Sequence, residues 1–239
     1  MPHPPGPSTG WSVDLSTAFE ELFDAFGHRP KPANPKMCVG HCINQAEYEA
    51  FCRTAPRDLD DQLIDRYWWN ESDDWDLTTH FMPAILRAMP SDPLEGIRDF
   101  SITSGLNIRW PDLTERERAA VESFCRAWFA DVLGHRPTRG HTASRVLEAT
   151  AAIGLDISPY LTYWETVGTP GACWQLDDMV PSVVSNPDDS YAKTFCRWLL
   201  TPAPRAMIAE CGRGELTDKE LEWLEVVARA ANQHEEDPR

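Results

Sequence analysis

Thiol and imidazole groups able to hold a metal ion lie together near residue 40. The segment Cys38-Val-Gly-His-Cys42 supplies two cysteines and His41 in a short loop-forming stretch. Thiolate and imidazole are the ligands that zinc prefers, and a structural zinc ion takes four of them. The candidate zinc site is therefore Cys38, His41, Cys42 and His80, with Cys52 as the substitute for His41.

Two other interpretations of the same cysteines stay open. Structural zinc sites usually space their first two cysteines as C-x2-C, whereas Cys38 and Cys42 are separated by three residues. This spacing favours a packed thiol pair with His41 hydrogen-bonded locally, and no cofactor. A redox dithiol is the third interpretation, and it is disfavoured because it also uses C-x2-C.

A dense aromatic and acidic cluster follows the cysteines. Tryptophan and tyrosine are enriched where protein interfaces concentrate their binding energy. The acidic residues lack the glycine and terminal glutamate of a calcium loop, so an acidic first turn of a helix is the favoured reading. The predicted partner or ligand surface is Tyr67, Trp68, Trp69, Asp73, Asp74 and Trp75.

A second pair of histidines, His135 and His141, flanks the short basic segment Arg136-Pro-Thr-Arg-Gly140. This loop could bind an anion, but a solvated connection between two helices is favoured. The sequence contains no phosphate-binding loop, dinucleotide fingerprint, nucleophile elbow or H-E-x-x-H motif. We therefore assign no catalytic residue, and an enzyme is the disfavoured class.

Apolar residues recur at helical spacing through most of the chain, and no segment alternates as a strand does. Capping boxes at Thr114–Glu117 and Thr217–Glu220 predict two helix starts, and Ser158 is expected to cap a third. The predicted apolar faces are Leu15, Phe19, Leu22, Phe23 and Phe26; Leu59, Leu63 and Tyr67; Val121, Phe124, Cys125, Trp128, Phe129, Val132 and Leu133; Val146, Leu147, Thr150 and Ile153; Tyr160, Leu161 and Trp164; Tyr191, Phe195, Trp198 and Leu199; and Leu221, Leu224, Val227, Ala228 and Ala231.

These patterns predict an all-α fold: one domain of packed helical hairpins over residues 13–232, between disordered tails at 1–12 and 233–239. The tripeptide Phe-Cys-Arg recurs at 51–53, 124–126 and 195–197, which is compatible with an irregular HEAT-like stack of repeats or with chance.

The charge is strongly acidic, with 38 Asp and Glu against 22 Lys and Arg and a net charge of −16. Nucleic acid is disfavoured as a direct partner because phosphate binding needs cationic surfaces. No apolar run approaches the length of a membrane span. Seven cysteines, two of them on apolar helix faces, favour a reducing compartment over a disulfide framework. We expect a cytoplasmic protein of undetermined oligomeric state.

Several segments resemble a widespread uncharacterised bacterial family. These are the cysteine pair, the helix with Leu59 and Tyr67, the segment His80-Phe-Met-Pro-Ala-Ile-Leu86 and the segment Leu155-Asp-Ile-Ser-Pro-Tyr-Leu161 with Trp164. The resemblance covers roughly residues 15–230 and implies one conserved domain, with no known activity. The chain departs from the family by its wider cysteine spacing and by Ala84 where arginine is usual.

Two functions follow as expectations. The first is a cytoplasmic protein-interaction module of the immunity-protein or adaptor type, whose partner has a basic surface. The alternative is an enzyme or a small-molecule or metal binder, with its site around the Cys38–Cys42 loop, Trp68, Trp69, Trp75 and His80.

Overall fold

The computed structural model describes residues 11, 13–32, 39–40, 43–60, 64, 75–91, 103, 105–138, 140–185, 191–210 and 216–235. Within these ranges the regular structure is helical, and β-pairing is limited to the isolated bridges Val39–Ile43 and Thr138–His141. The prediction of an all-α fold is confirmed. The helices are α1 (Leu15–Phe26), α2 (Gln45–Arg53), α3 (Trp75–Ala88), α4 (Glu115–Leu133), α5 (Ala143–Ala152), α6 (Ser158–Thr166), α7 (Pro170–Ser185), α8 (Ala192–Leu199), α9 (Pro202–Glu210) and α10 (Asp218–Glu235).

The described residues form two compact units, and α4 runs from the first into the second. The first unit comprises those of Met1–Ile102 and Ile108–Ala127. In it α1 packs against α3, which also contacts the short 3₁₀ turn Pro56–Asp58. Phe51 and Phe81 pack with ring centroids 4.3 Å apart. Aromatic side chains thus supply much of this core.

The second unit comprises the described residues of Thr103–Asn107 and Trp128–Arg239. Its helix α8 packs against α6, α9 and α10, while α7 packs against α5, α9 and α10. The rings of Phe129 and Trp164 meet edge-on at 5.5 Å, and Trp164 stacks on Trp198 at 5.6 Å. Such pairs add stability beyond the area they bury. The core therefore lies between α4, α6 and α8.

Local helix signals are largely confirmed. Glu117 accepts from the Thr114 backbone N–H at 2.7 Å, while the Glu117 N–H donates to the Thr114 hydroxyl at 3.2 Å. Thr217 and Glu220 form the same reciprocal pair. The predicted faces of α4, α5, α6 and α8 are buried, whereas Leu63 and Tyr67 lie outside the described residues.

The prediction that Ser158 caps α6 is wrong by one residue. Helix α6 begins at Ser158, and Ile157 is its cap residue. Asp156 accepts from the backbone N–H of Ser158 at 2.9 Å and from its hydroxyl at 2.8 Å. The serine hydroxyl is therefore engaged as a donor to Asp156 and does not cap the helix.

The described cysteines are not all reduced. Cys52, Cys125 and Cys196 are free, but Cys173 is disulfide-bonded to a partner outside the described residues. The disulfide at Cys173 opposes the expectation of a reducing compartment, where structural disulfides are rare. In the described ranges, none of the helices combines the length and apolar content needed to cross a bilayer.

Candidate functional site

The predicted zinc ligands fall mostly outside the described residues, since Cys38, His41 and Cys42 are not described. His80 lies within α3, and its Nδ1–H donates to the carbonyl of Arg29 at 2.8 Å. The carbonyl of Cys52 accepts from the Lys31 ammonium. Among the described residues, neither His80 nor Cys52 belongs to a group of three metal-ligand side chains. The cysteine site stays a prediction.

The predicted partner surface is also mostly outside the described part, because Tyr67, Trp68, Trp69, Asp73 and Asp74 are not described. Trp75 begins α3 and is half-buried. The Arg109 guanidinium lies 5.8 Å from the centre of its indole. The described part of the predicted surface is therefore the Trp75 ring, which Arg109 partly covers.

One group of metal-ligand side chains is present among the described residues, and it lies at the end of α4. Asp131, His135 and His141 each place one ligand atom within 4.8 Å of the other two. The Nε2 atom of His141 is 3.4 Å from Oδ2 of Asp131, and the two imidazole rings meet edge-on at 5.5 Å. Two imidazoles and a carboxylate therefore point toward one small volume.

Local geometry brings Asp131 and His135 together. Residues four apart lie on one face of a helix, and α4 ends at Leu133. The His135 backbone N–H bonds to Val132 O at 3.0 Å, which continues the last turn. The ring Nδ1–H of His135 donates to the carbonyl of Asp131 at 2.7 Å. The sequence spacing of this pair was the signal that could have indicated a site.

His141 returns to the same place through a tight loop. Its backbone N–H donates to Thr138 O at 2.9 Å, and Gly140 has φ of +83°. A glycine adopts this left-handed conformation without the strain that a side chain adds. Arg145 donates to the carbonyl of Gly140 at 2.6 Å. The described residues of this loop, 134–138 and 140–141, connect α4 to α5, as the sequence favoured.

A buried glutamine holds both ends of this loop. Gln175 of α7 is fully buried, and its amide nitrogen lies 3.3 Å from the carbonyls of Val132, His135 and His141. Its amide oxygen accepts from the Ala143 N–H at 2.9 Å. One side chain thus satisfies the end of α4, the loop and the start of α5.

The backbone of helix α7 at Gly171 packs directly against the backbone of the same loop. A Cβ atom on Gly171 would lie 2.5 Å from Leu133 O and 2.6 Å from His135 N, so no larger residue fits there unchanged. The Thr169 hydroxyl donates to Leu133 O at 2.7 Å. The backbone around the first histidine is therefore held by packing as well as by hydrogen bonds.

The electrostatics around the cluster are mixed. Burial lowers the pKa of His141, Asp131 opposes that shift, and His135 and Arg145 add to it. The guanidinium of Arg136 stacks on Trp174, 4.1 Å from the ring centre, so it is already engaged on the protein. This stacking weakens the anion-binding interpretation of the loop. The sequence-based interpretation of this loop included His135 and His141 but not Asp131.

No family model, no curated protein and no solved structure matches the chain. The resemblance to the uncharacterised bacterial family therefore stays a prediction. Chemically, two imidazoles and one carboxylate match the ligand sets of zinc enzymes and of non-haem iron sites.

Proposed function

We propose that this chain is an acidic module that binds a protein partner with a basic surface. The observation that supports it is a line of exposed carboxylates on the first half of α10, formed by Asp218, Glu222 and Glu225. Because these residues are spaced i, i+4 and i+7, they share one face of the helix. The overall net charge of −16 has the same sign.

The residues next to this acidic face add apolar area to the proposed contact surface. Val226, next to Glu225, is 58% exposed, and Trp223 is half-buried. Leu224 and Val227 are buried, which anchors the helix to its unit. Carboxylates accelerate the encounter with a basic partner, while apolar and aromatic groups supply area to be covered.

The remaining parts of the proposal come from the sequence. We keep the cytoplasm as the proposed location, and the disulfide at Cys173 is the described feature that opposes it. Direct binding of nucleic acid is disfavoured because acidic residues outnumber basic ones, 38 to 22. The Tyr67–Trp75 surface would add a second contact. The family resemblance assigns no activity and so leaves this function unchanged.

The alternative function is an enzyme or a small-molecule or metal binder. The site expected for it around Cys38 and Cys42 is described only at Trp75 and His80. A separate observation favours metal binding, namely the Asp131–His135–His141 cluster, and it does not depend on the protein-binding proposal.

The proposed function is tested by affinity capture of the full chain from lysate of its host at low salt, with bound proteins identified by mass spectrometry. Charge reversal by Glu222→Lys with Glu225→Lys should abolish capture of the basic partner, because two attractions become repulsions. Raising the salt concentration should also release that partner.

A control with the same change in charge is Glu49→Lys with Asp58→Lys, two exposed positions in the first unit. This variant should retain the partner. Equal loss in both variants would show a general charge effect and reject the α10 surface. Capture of no basic protein by the unmodified chain would reject the proposed function.

A further inference from the structure

We propose that Asp131, His135 and His141 form a binding site for one divalent transition-metal ion of the zinc class, with a coordination position open to water or an external ligand. This site goes beyond the protein-binding function and differs from the cysteine site expected from the sequence. The two imidazole nitrogens and one carboxylate oxygen are the ligand types that such ions take.

The hydrogen bond made by His135 suits a metal ligand. Its Nδ1 lies 2.7 Å from the Asp131 carbonyl, and because a carbonyl only accepts, Nδ1 must carry the hydrogen. In the neutral ring the lone pair is then on Nε2. Histidines that bind metals usually donate their other N–H to a carbonyl or carboxylate, which sets the ring orientation. The bond at His135 supplies this supporting contact.

The spacing of the groups is close to that of a bound state. Ligand atoms around a tetrahedral ion with bonds of about 2.0–2.1 Å lie about 3.3 Å apart. The separation of His141 Nε2 from Asp131 Oδ2 is already 3.4 Å, and all three groups are within 4.8 Å. Rotation of the side chains, including the one that brings His135 Nε2 to the other two atoms, would close the set.

The backbone that carries the ligands is held independently of any ion. Gln175 bonds the carbonyls of both His135 and His141, and Gly171 packs against the backbone at residues 133–135. A preorganised frame of this kind reduces the ordering cost of binding. The same contacts hold the backbones of the two histidine residues to one glutamine.

The site is accessible from solvent. The side chains of His141 and Asp131 are 19% and 35% exposed, and His135 is exposed. Three protein ligands leave the fourth position of a tetrahedral ion for water, as in catalytic rather than structural zinc sites. An ion pair between Asp131 and His141 needs only those two residues. The third ligand group, from His135, is what a metal site would add.

The test is isothermal titration of the metal-free full chain with zinc chloride. The wild type should bind one equivalent that Asp131→Asn, His135→Ala and His141→Ala each weaken by at least about tenfold, because each removes one of three ligands. Circular dichroism should show the same helicity in every variant. Asp131→Asn keeps the side-chain shape, so it tests the site even where a histidine variant folds poorly.

The matched control is His28→Ala. His28 also follows a helix and bonds back to it, with Nδ1 3.0 Å from Ala25 O, and it lies 3.7 Å from Glu117. Among the described residues, His28 does not belong to a group of three metal-ligand side chains. Zinc binding by this variant should equal that of the wild type.

Cobalt(II) distinguishes this site from the cysteine loop. Binding at Asp131, His135 and His141 should give visible cobalt absorption without a thiolate charge-transfer band, and Cys38→Ser with Cys42→Ser should retain it. The proposal is overturned by a wild type that binds no zinc. It is equally overturned where Asp131→Asn and His141→Ala bind as many equivalents, as tightly, as the wild type.

Discussion

Two helix ends in this protein carry similar residues in different environments. At the end of α1, His28 bonds back to Ala25 O and lies 3.7 Å from the carboxylate of Glu117. At the end of α4, His135 bonds back to Asp131 O, and the Asp131 carboxylate lies 3.4 Å from His141. Both ends therefore combine imidazole with carboxylate.

The carboxylates differ in what already occupies them. Glu117 is fully buried, and its oxygens accept from Arg29 at 2.6 and 2.7 Å and from Thr114. Asp131 is half-buried and faces two histidines. A carboxylate neutralised by a guanidinium has little to offer a metal ion, so the first end is a structural ion pair. Nearby histidine and carboxylate residues alone do not define a site.

The two carboxylates should differ strongly in how much each contributes to the free energy of unfolding. Glu117→Ala should lower the free energy of unfolding by about 3–5 kcal/mol, because it leaves Arg29 without its partner and removes a helix cap. Asp131→Ala, at a half-exposed position, should cost less than about 1 kcal/mol. Urea denaturation of both variants provides the measurement. Similar losses would show that the two ends are equally structural.

Gln175→Leu should have the next largest effect. The substitution keeps the side-chain volume but removes the acceptor of the Ala143 N–H and the amide that donates to the carbonyls around the loop. Because Val132 O keeps its bond from the His135 N–H, the expected cost is about 2–3 kcal/mol and comes mainly from the Ala143 N–H and the His135 carbonyl. It should also weaken zinc binding, because the loop loses its clamp. Thermal unfolding and calorimetry check both effects. A stable variant with unchanged zinc affinity would contradict the clamp.

Gly171→Ala should cost about 1–3 kcal/mol, because its Cβ would overlap the backbone at Leu133–His135. Gly168→Ala is the matched control, since a Cβ there meets nothing within 4 Å. The control should change the unfolding free energy by less than about 0.5 kcal/mol. Equal effects at the two glycines would show that α7 does not press on the histidine loop.

Lowering the pH should gradually reduce the stability contributed by the Glu117–Arg29 pair at the end of α1. Burial by itself would raise the pKa of Glu117, but the hydrogen bonds from Arg29 and Thr114 outweigh it and hold that pKa below its usual 4.5. The folded state therefore binds this proton less readily than the unfolded state. The Glu117–Arg29 pair stabilises the fold fully when the pH is above the pKa of Glu117 in the unfolded state. This stabilisation is lost as the pH falls through the lower pKa of Glu117 in the folded state.

The expected measurement is the unfolding free energy of wild type and Glu117→Gln as pH is lowered below 4.5. The wild type should lose stability more steeply, because the amide cannot be protonated in this range. Parallel curves would remove Glu117 from the acid response.

The all-α fold, most apolar faces and the two capping boxes could be predicted from the amino-acid sequence. These features depend on residues three or four positions apart, such as Thr114 with Glu117, so their physical cause is contained in a short segment. The same local rule failed at Ser158, where Asp156 two positions earlier was the stronger acceptor. Competition between near neighbours limits even local prediction.

The pairing of distant polar groups depends on how the helices pack and could not be predicted from the sequence. Arg29 and Glu117 are 88 residues apart, and Gln175 reaches His141 across 34 residues. The spacing of Asp131 and His135 was visible in the sequence, but their union with His141 depends on the loop closed by Gly140 and clamped from α7. Partners brought together by packing leave no fixed spacing, so the metal-ligand cluster at the end of α4 emerged only from the folded chain.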